Sequence, residues 1–382
     1  MLNKGSSCKI RRPTTFQSVR LPQYIDTKLI NGYLYVNPLA NKLKNLEDST
    51  KALIREFYQH PNKRRIRLQN LGGKLSAKNK GFVIDNNTVV DGLTRRIKDW
   101  FEANIDNLDK LPQYILDYFN FYILNQSYKD IINDIETQDK RQKIRCNNTR
   151  VMDPMRHGSL VHQQMYNSVR YILKLSGIVQ NKQKLPKKFS IDKCTKSCLV
   201  ALIKSNLIPI TSEWPCFVED GTGCATAMDL ICVDLNNDNK LKIIELKTGN
   251  AAKALKPSFI SKGEFTYNRA SMDSIQLLIS AFFAYRCYGS KFFDITDENK
   301  FCGSMGLLYI NSSYSVILDV PSIICNLENV TDLSKRILYR EEGTSLRNDL
   351  TADHNTQSKL TITNKIRKRK PKTFKVGFNV EK

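Results

Sequence analysis

Two hydrophobic runs, ATAMDLICVDL (225–235) and KLKIIELK (240–247), flank the turn-forming residues LNNDN. Period-two alternation and the polar turn predict an antiparallel hairpin. A turn centred on Asn237 pairs Leu235 with Asn239, Val233 with Leu241 and Ile231 with Ile243. The next pair on the same face is Asp229 with Glu245. Directly opposed side chains have Cβ atoms about 4.5–5.5 Å apart, and two buried anions at that range repel. A divalent cation resolves the repulsion, since Mg²⁺ takes oxygen ligands and is commonly held by one or two carboxylates with water and phosphate. Lys247 points to the same face, where an ammonium group stabilises charge on a phosphate or orients a water. The alternative is a surface hairpin end with solvated charges.

The elements around this hairpin must place it. Residues 112–145 read as helical (PQYILDYFNFYIL, then SYKDIINDIETQDKRQKIR), as do residues 159–174, where Val161, Met165, Val169 and Ile172 fall at helical spacing. A further helix is predicted at 195–205. The period then changes to strands near 208–218, 225–235 and 240–247. A long apolar helix follows at 271–288, then strands GLLYIN and SVILDV and a short helix after Pro321. The order of helix, three antiparallel strands, helix and further strand predicts an α/β fold. Within 26–110 a helix at STKALIREFYQH and a basic run, NKRRIRLQ, are legible, but the region yields no fold. The expected divisions are a basic, mixed region at 1–110, a core at 111–340 with a helical insertion at 112–145, and a disordered basic tail at 341–382.

Lys and Arg number 60 against 37 Asp and Glu, a net charge of +23, which favours a polyanionic partner. Residues 1–25 carry five basic residues and no acid, and the tail ends in NKIRKRKPKTFK. No apolar run reaches membrane-spanning length, so no membrane partner is expected. The ten cysteines form no CxxC pair. Cys194 and Cys198, four apart on a helix, are a weak metal signal, and reduced thiols in an intracellular protein are the expectation.

The Asp229, Glu245 and Lys247 pattern on a hairpin after a helix resembles the PD-(D/E)XK nuclease superfamily, most closely its RecB-like exonuclease branch. Three further features are similar. Gly158 and His162 form a GxxxH element in RHGSLVHQQMYNSV; Thr248 and Gly249 follow the lysine; Gln276 lies on the helix SMDSIQLLISAFFAY. Glu213, in PITSEWPCFVE, matches an additional upstream acid. The likeness spans about residues 150–320. It departs where Ala225 or Ala227 stands for a Gly before the Asp, and where Ser280 stands for a Tyr after the Gln.

The resemblance implies a restriction-endonuclease-like core and a metal-dependent phosphodiesterase acting on DNA, more an exonuclease than a sequence-specific endonuclease. Asp229 and Glu245 would hold Mg²⁺ or Mn²⁺, helped by the Leu246 carbonyl, His162 and Glu213. Lys247 would act on the water or the phosphate, and Gln276 would contact DNA or fix Lys247. Single-stranded DNA or duplex ends, and replication or recombination proteins, are the implied partners. No iron–sulfur cluster is expected. The basic tail favours a nucleus or viral replication site, and the acid-free N-terminus also fits a mitochondrion. A catalytically inactive nucleic-acid-binding protein on the same fold, or a charge-neutralising packaging protein, are the rival readings.

Overall fold

The computed structural model describes residues 30–338 apart from 65, 71–79, 85–87, 105–109, 125–128, 131–132, 134–153, 180–188, 218–223, 250, 257, 260–265, 296–300, 302, 311–314 and 321–324. The basic segments at 1–25 and 341–382, and most of SYKDIINDIETQDKRQKIR, therefore lie outside the described residues. In chain order the elements are β1 (Ile30–Asn31), α1 (Tyr33–Lys44), α2 (Asp48–Gln59), β2 (Ile66–Asn70), β3 (Lys80–Ile84), β4 (Thr88–Gly92), α3 (Leu93–Asn104) and α4 (Gln113–Leu124). They continue with α5 (Pro154–Ser176), β5 (Ser190–Ile191), α6 (Lys193–Lys204), β6 (Leu207–Phe217), β7 (Cys224–Asp234), β8 (Lys240–Thr248) and α7 (Ala251–Leu255). The last are β9 (Ser258–Phe259), β10 (Thr266–Tyr267), α8 (Arg269–Tyr288), β11 (Met305–Ile310), β12 (Ser315–Leu318) and α9 (Leu327–Leu338).

The fold is mixed α/β. Its main sheet has eight strands in the order β12-β11-β8-β7-β4-β3-β2, with β6 also paired to β7. Strands β6, β7 and β8 form an antiparallel meander, and β11 joins β8 in parallel after the crossover through α8. β7 is buried along almost its whole length. That is the pattern of a strand covered on both faces, and it explains the continuous apolar run. Within the region 1–110, where the sequence yielded no fold, β2, β3 and β4 extend this sheet, with β4 parallel to β7 at Asp91–Cys224 and Gly92–Ala225.

Helices cover both faces of the sheet. One layer holds α5 and α6 with α1 upon them; α8 packs on β6, β7, β8 and β11 in the other, with α3, α4, α7 and α9 behind it. The helix ends follow from local chemistry. Asp192 caps α6 by accepting from the Thr195 amide at 2.7 Å, and Asn268 caps α8 by accepting from Ser271 at 2.8 Å. Gly289 closes α8 at φ +87°, a conformation most side chains resist. The middle of α8 is buried all round, as expected of a helix wedged between a sheet and other helices. Two hydroxyl contacts tie α4 to it: Tyr118 donates to Ser274 Oγ at 2.6 Å, and Ser271 donates to the Phe119 carbonyl at 3.1 Å.

Candidate metal and phosphate site

The hairpin of β7 and β8 has the register expected from its turn: Val233 pairs with Leu241 and Ile231 with Ile243. The ladder ends at Leu230–Ile244. One step further in the same register lies Asp229 across from Glu245. Because β6 follows one edge of β7 from Ala225 to Asp234, β8 and β4 share the other edge, at Leu230–Asp234 and Cys224–Ala225 respectively. Between them residues 226–229 have no ladder partner on that edge. The site forms beside this opening, where side chains from both helix layers reach the same strand.

Glu213 enters from the opposite side. The β6–β7 register slips by one residue between Pro209 and Thr211. The pairs Ser212–Leu230 and Trp214–Met228 then place Glu213 across from Asp229. Three carboxylates, Glu213, Asp229 and Glu245, thus follow one another across three strands. Glu213 itself sits at φ +54°, a left-handed conformation that costs a non-glycine residue about 1–2 kcal/mol. Strain of this kind inside a strand marks a position whose side-chain direction is held by its surroundings.

His162 on α5 completes the first group. Its Nδ1 lies 2.9 Å from Glu213 Oε1 and 3.6 Å from Asp229 Oδ1. Ligand atoms of His162, Glu213 and Asp229 fall within 4.8 Å of one another, among the described residues the one group of metal-ligand type. Asp229 also accepts from the Leu246 amide at 2.8 Å, so Leu246 enters the site through its N–H. Gly158, one turn before His162, lets α5 approach β8: a Cβ there would stand 2.9 Å from Thr248 Oγ1. That is a steric reason for the glycine of the GxxxH element.

Lys247 organises a second group. Its ammonium donates to Glu245 Oε1 at 2.8 Å and to Gln276 Oε1 at 3.1 Å, while Gln276 Nε2 donates to the same Glu245 oxygen at 2.7 Å. Gln276 therefore fixes Lys247 and Glu245. Two residues that carry no signal in the sequence pattern belong here. Asp273 Oδ1 lies 3.6 Å from Lys247 Nζ, and Tyr309 donates its hydroxyl to Asp273 Oδ2 at 2.7 Å. Arg269 Nε approaches that same oxygen at 3.6 Å from the first turn of α8. The spacing of Asp273 and Gln276, one helical turn apart on α8, becomes informative only once Gln276 is placed at the site.

The two groups form one electrostatic unit. Glu245 is only 2 % exposed. Burial first, then the nearby Asp229 charge, pushes its carboxyl up to about 7 against the pull of Lys247. Burial likewise raises Asp229, opposed by His162. Burial alone would lower His162, but Asp229, the Glu213 hydrogen bond and Glu245 outweigh it and lift the imidazole to about 9. Lys247 is also raised: burial opposes its charge, but Glu245, Asp273 and Asp229 prevail. Four carboxyl groups thus face two half-buried cations, His162 and Lys247. Ionising all four would leave a surplus of negative charge at a poorly solvated site, which a divalent ion would neutralise.

The cysteine positions on α6 carry no such group. Cys194 and Cys198 are buried, and burial pushes the Cys194 thiol up to about 12. Ser280 is buried with its hydroxyl 3.5 Å from Thr226 Oγ1. No helix among the described residues is long and apolar enough to cross a membrane. No model of a known protein family matches the chain, and no curated protein matches it either.

Proposed function

We propose that this chain is a divalent-metal-dependent nuclease that hydrolyses phosphodiester bonds in DNA, attacking from ends, on a restriction-endonuclease-like core. The observation that carries the reading is the juxtaposition of two groups. The Lys247 ammonium is fixed by Glu245 and Gln276 beside a His162–Glu213–Asp229 set of ligand type. The meander of β6–β8, followed by α8 and the parallel strand β11, supports the same core.

The donor set fits a hard or borderline divalent ion: two carboxyl groups and one imidazole, Asp229 buried and His162 and Glu213 half-buried. His162, Glu213 and Asp229 would hold Mn²⁺ or Mg²⁺, with Glu245 adjoining. Such an ion supplies Lewis acidity toward a phosphodiester and an acidified water. The protein's own groups do the rest. Lys247 stays protonated among its three carboxylate neighbours, so it serves as a fixed positive charge for the negative charge that develops on a phosphate, not as a base. Glu245 and Gln276 hold that ammonium in place before substrate arrives, which removes the cost of reorienting it. Arg269, largely exposed at the start of α8, offers a second cation at the edge of the site.

The test uses end-labelled single- and double-stranded DNA with Mg²⁺, Mn²⁺ or EDTA, beside a Lys247→Ala variant. Metal-dependent degradation that the variant loses is expected, and covalently closed circles should survive. Binding without cleavage in every metal would overturn the reading in favour of a non-catalytic nucleic-acid-binding protein on this fold. Any part in replication, recombination or repair would then be played by binding alone.

A further inference from the structure

The charges on the two helix layers are arranged differently. α1, α5 and α6 contain no Asp or Glu at all. Their neighbours in the sequence include Asp192, but it is buried and spent on capping α6. Lys44, Lys174, Lys193 and Lys204 are exposed on these helices, and Arg170 and Lys196 are half-exposed, lying over the rings of Tyr166 and Tyr35. Among the described residues, the exposed acids that border the layer lie at its margins: Glu47 and Asp48 beyond the end of α1, and Asp238 in the β7–β8 turn.

Several cations elsewhere are paired with nearby carboxylates. Lys51 pairs with Asp48, Lys98 with Glu102 and Lys291 with Glu56. On α9, Arg336 pairs with Asp332, beside which Lys335 also lies. These cations each lie beside a carboxylate of their own helix or of a near neighbour, whereas Lys44, Lys174, Lys193 and Lys204 on α1, α5 and α6 add to one positive field.

The three helices form a connected surface. Tyr33 of α1 meets Tyr171 of α5 edge to face at 5.2 Å. Lys42 of α1 donates to Asn206 just past α6 at 3.0 Å. α5 also carries His162, and Lys174 lies three turns beyond it, about 18 Å along the axis.

We propose that the acid-free face of α1, α5 and α6 docks the phosphodiester backbone of a nucleic acid outside the candidate cleft. The choice of nucleic acid over another polyanion rests on the nuclease reading, because the helix that carries the site also carries the face. Contacts of this kind are independent of base sequence and release counterions, so they have a measurable salt signature.

The test needs no cleavage. In EDTA, the full chain is titrated with a short fluorescent DNA duplex, and with one of its strands alone, over a series of salt concentrations. A variant with Lys44, Lys174, Lys193 and Lys204 each changed to Ala is compared with one in which Lys51, Lys98, Lys291 and Lys335 are changed. The first should lower the slope of log affinity against log salt by up to about four and weaken binding at least tenfold. The second should leave both nearly as in the parent, and circular dichroism checks that both variants fold. Equal losses in the two variants, an unchanged slope in the first, or binding of the face to anionic phospholipid vesicles but not to DNA would each overturn the proposal. Because binding is read without metal, a parent that binds through this face yet never cuts DNA would sink the nuclease reading and leave this surface standing.

Discussion

The Lys247 ammonium and the Asp273 carboxylate stand 3.6 Å apart, bringing the end of β8 to the second turn of α8. Asp273 is 8 % exposed and its other oxygen accepts from Tyr309, so it can neither swing away nor be replaced by water without cost. The Asp273→Asn variant keeps the shape and the acceptor for Tyr309 but removes a negative charge facing Lys247. Cleavage is expected to slow about tenfold, or ~1.4 kcal/mol in the barrier. KM should change little, and thermal unfolding should stay within a few degrees of the parent. Steady-state kinetics with Mn²⁺ checks this, and an unchanged kcat would remove Asp273 from the site.

The charge cluster also makes stability depend on pH in a defined direction. Glu245 is raised from the usual carboxylate range to about 7, so its contribution is full at acid pH and is lost as pH climbs through 7. His162 is raised to about 9, so its contribution is fully present below 6.5 and lost as pH rises through 9. Both act in the same sense: in EDTA the protein should become less stable between about pH 5 and 9. A tenfold difference in proton affinity between folded and unfolded chains is worth about 1.4 kcal/mol, so a drop of several degrees in Tm is expected. His162→Gln should flatten the upper part of that curve, and Mn²⁺ should oppose the decline by binding the deprotonated site. A Tm that rises steadily from pH 6 to 9 in EDTA would contradict the raised pKa values.

The parts of this site that could be read in the sequence are those set by local rules. The turn LNNDN and the alternation in KLKIIELK define the hairpin register, and the structure has Ile231 on Ile243 and Val233 on Leu241. Val161, Met165, Val169 and Ile172 show α5 by their spacing, and all four are buried. Asp273 was hidden because α8 is apolar on nearly every side, which leaves periodicity with no preferred face to indicate. The position of Glu213 depends on a one-residue slip in β6 between Pro209 and Thr211, and a slip of one turns each later side chain to the other face. Strands β2 to β4 reach the sheet through a two-residue parallel contact between Gly92 and Ala225 and their neighbours, a long-range pairing with no local signature.

Gly158 offers a test of how closely α5 must approach β8. In an ordinary helix interior, Gly→Ala stabilises by about 1 kcal/mol. At position 158 the new Cβ would stand 2.9 Å from Thr248 Oγ1, so the helix or the threonine must shift. Gly158→Ala is therefore expected to be neutral or destabilising, with the normal gain recovered in a Thr248→Ala background. The coupling in that double-mutant cycle should be of order 1 kcal/mol. Displacement of α5 also moves His162, one turn on, so the single variant should bind Mn²⁺ more weakly by calorimetry. Additive stabilities in the cycle would show that the two residues do not touch.

Glu213 carries the opposite trade, between backbone comfort and function. A non-glycine residue at φ +54° in β6 is strained whatever its side chain, and alanine retains that strain while glycine relieves it. Glycine inside a strand normally costs stability relative to alanine. At position 213 the order should invert, with Glu213→Gly more stable than Glu213→Ala by about 1 kcal/mol in urea unfolding. Both variants remove the oxygen that His162 meets at 2.9 Å, so both should lose affinity for Mn²⁺ to a similar degree. The difference in stability between them reads the backbone, and their shared loss of metal reads the carboxylate. If alanine proved the more stable of the two, the left-handed conformation would not be a feature of the folded strand, and the direction assigned to the Glu213 side chain would fail with it.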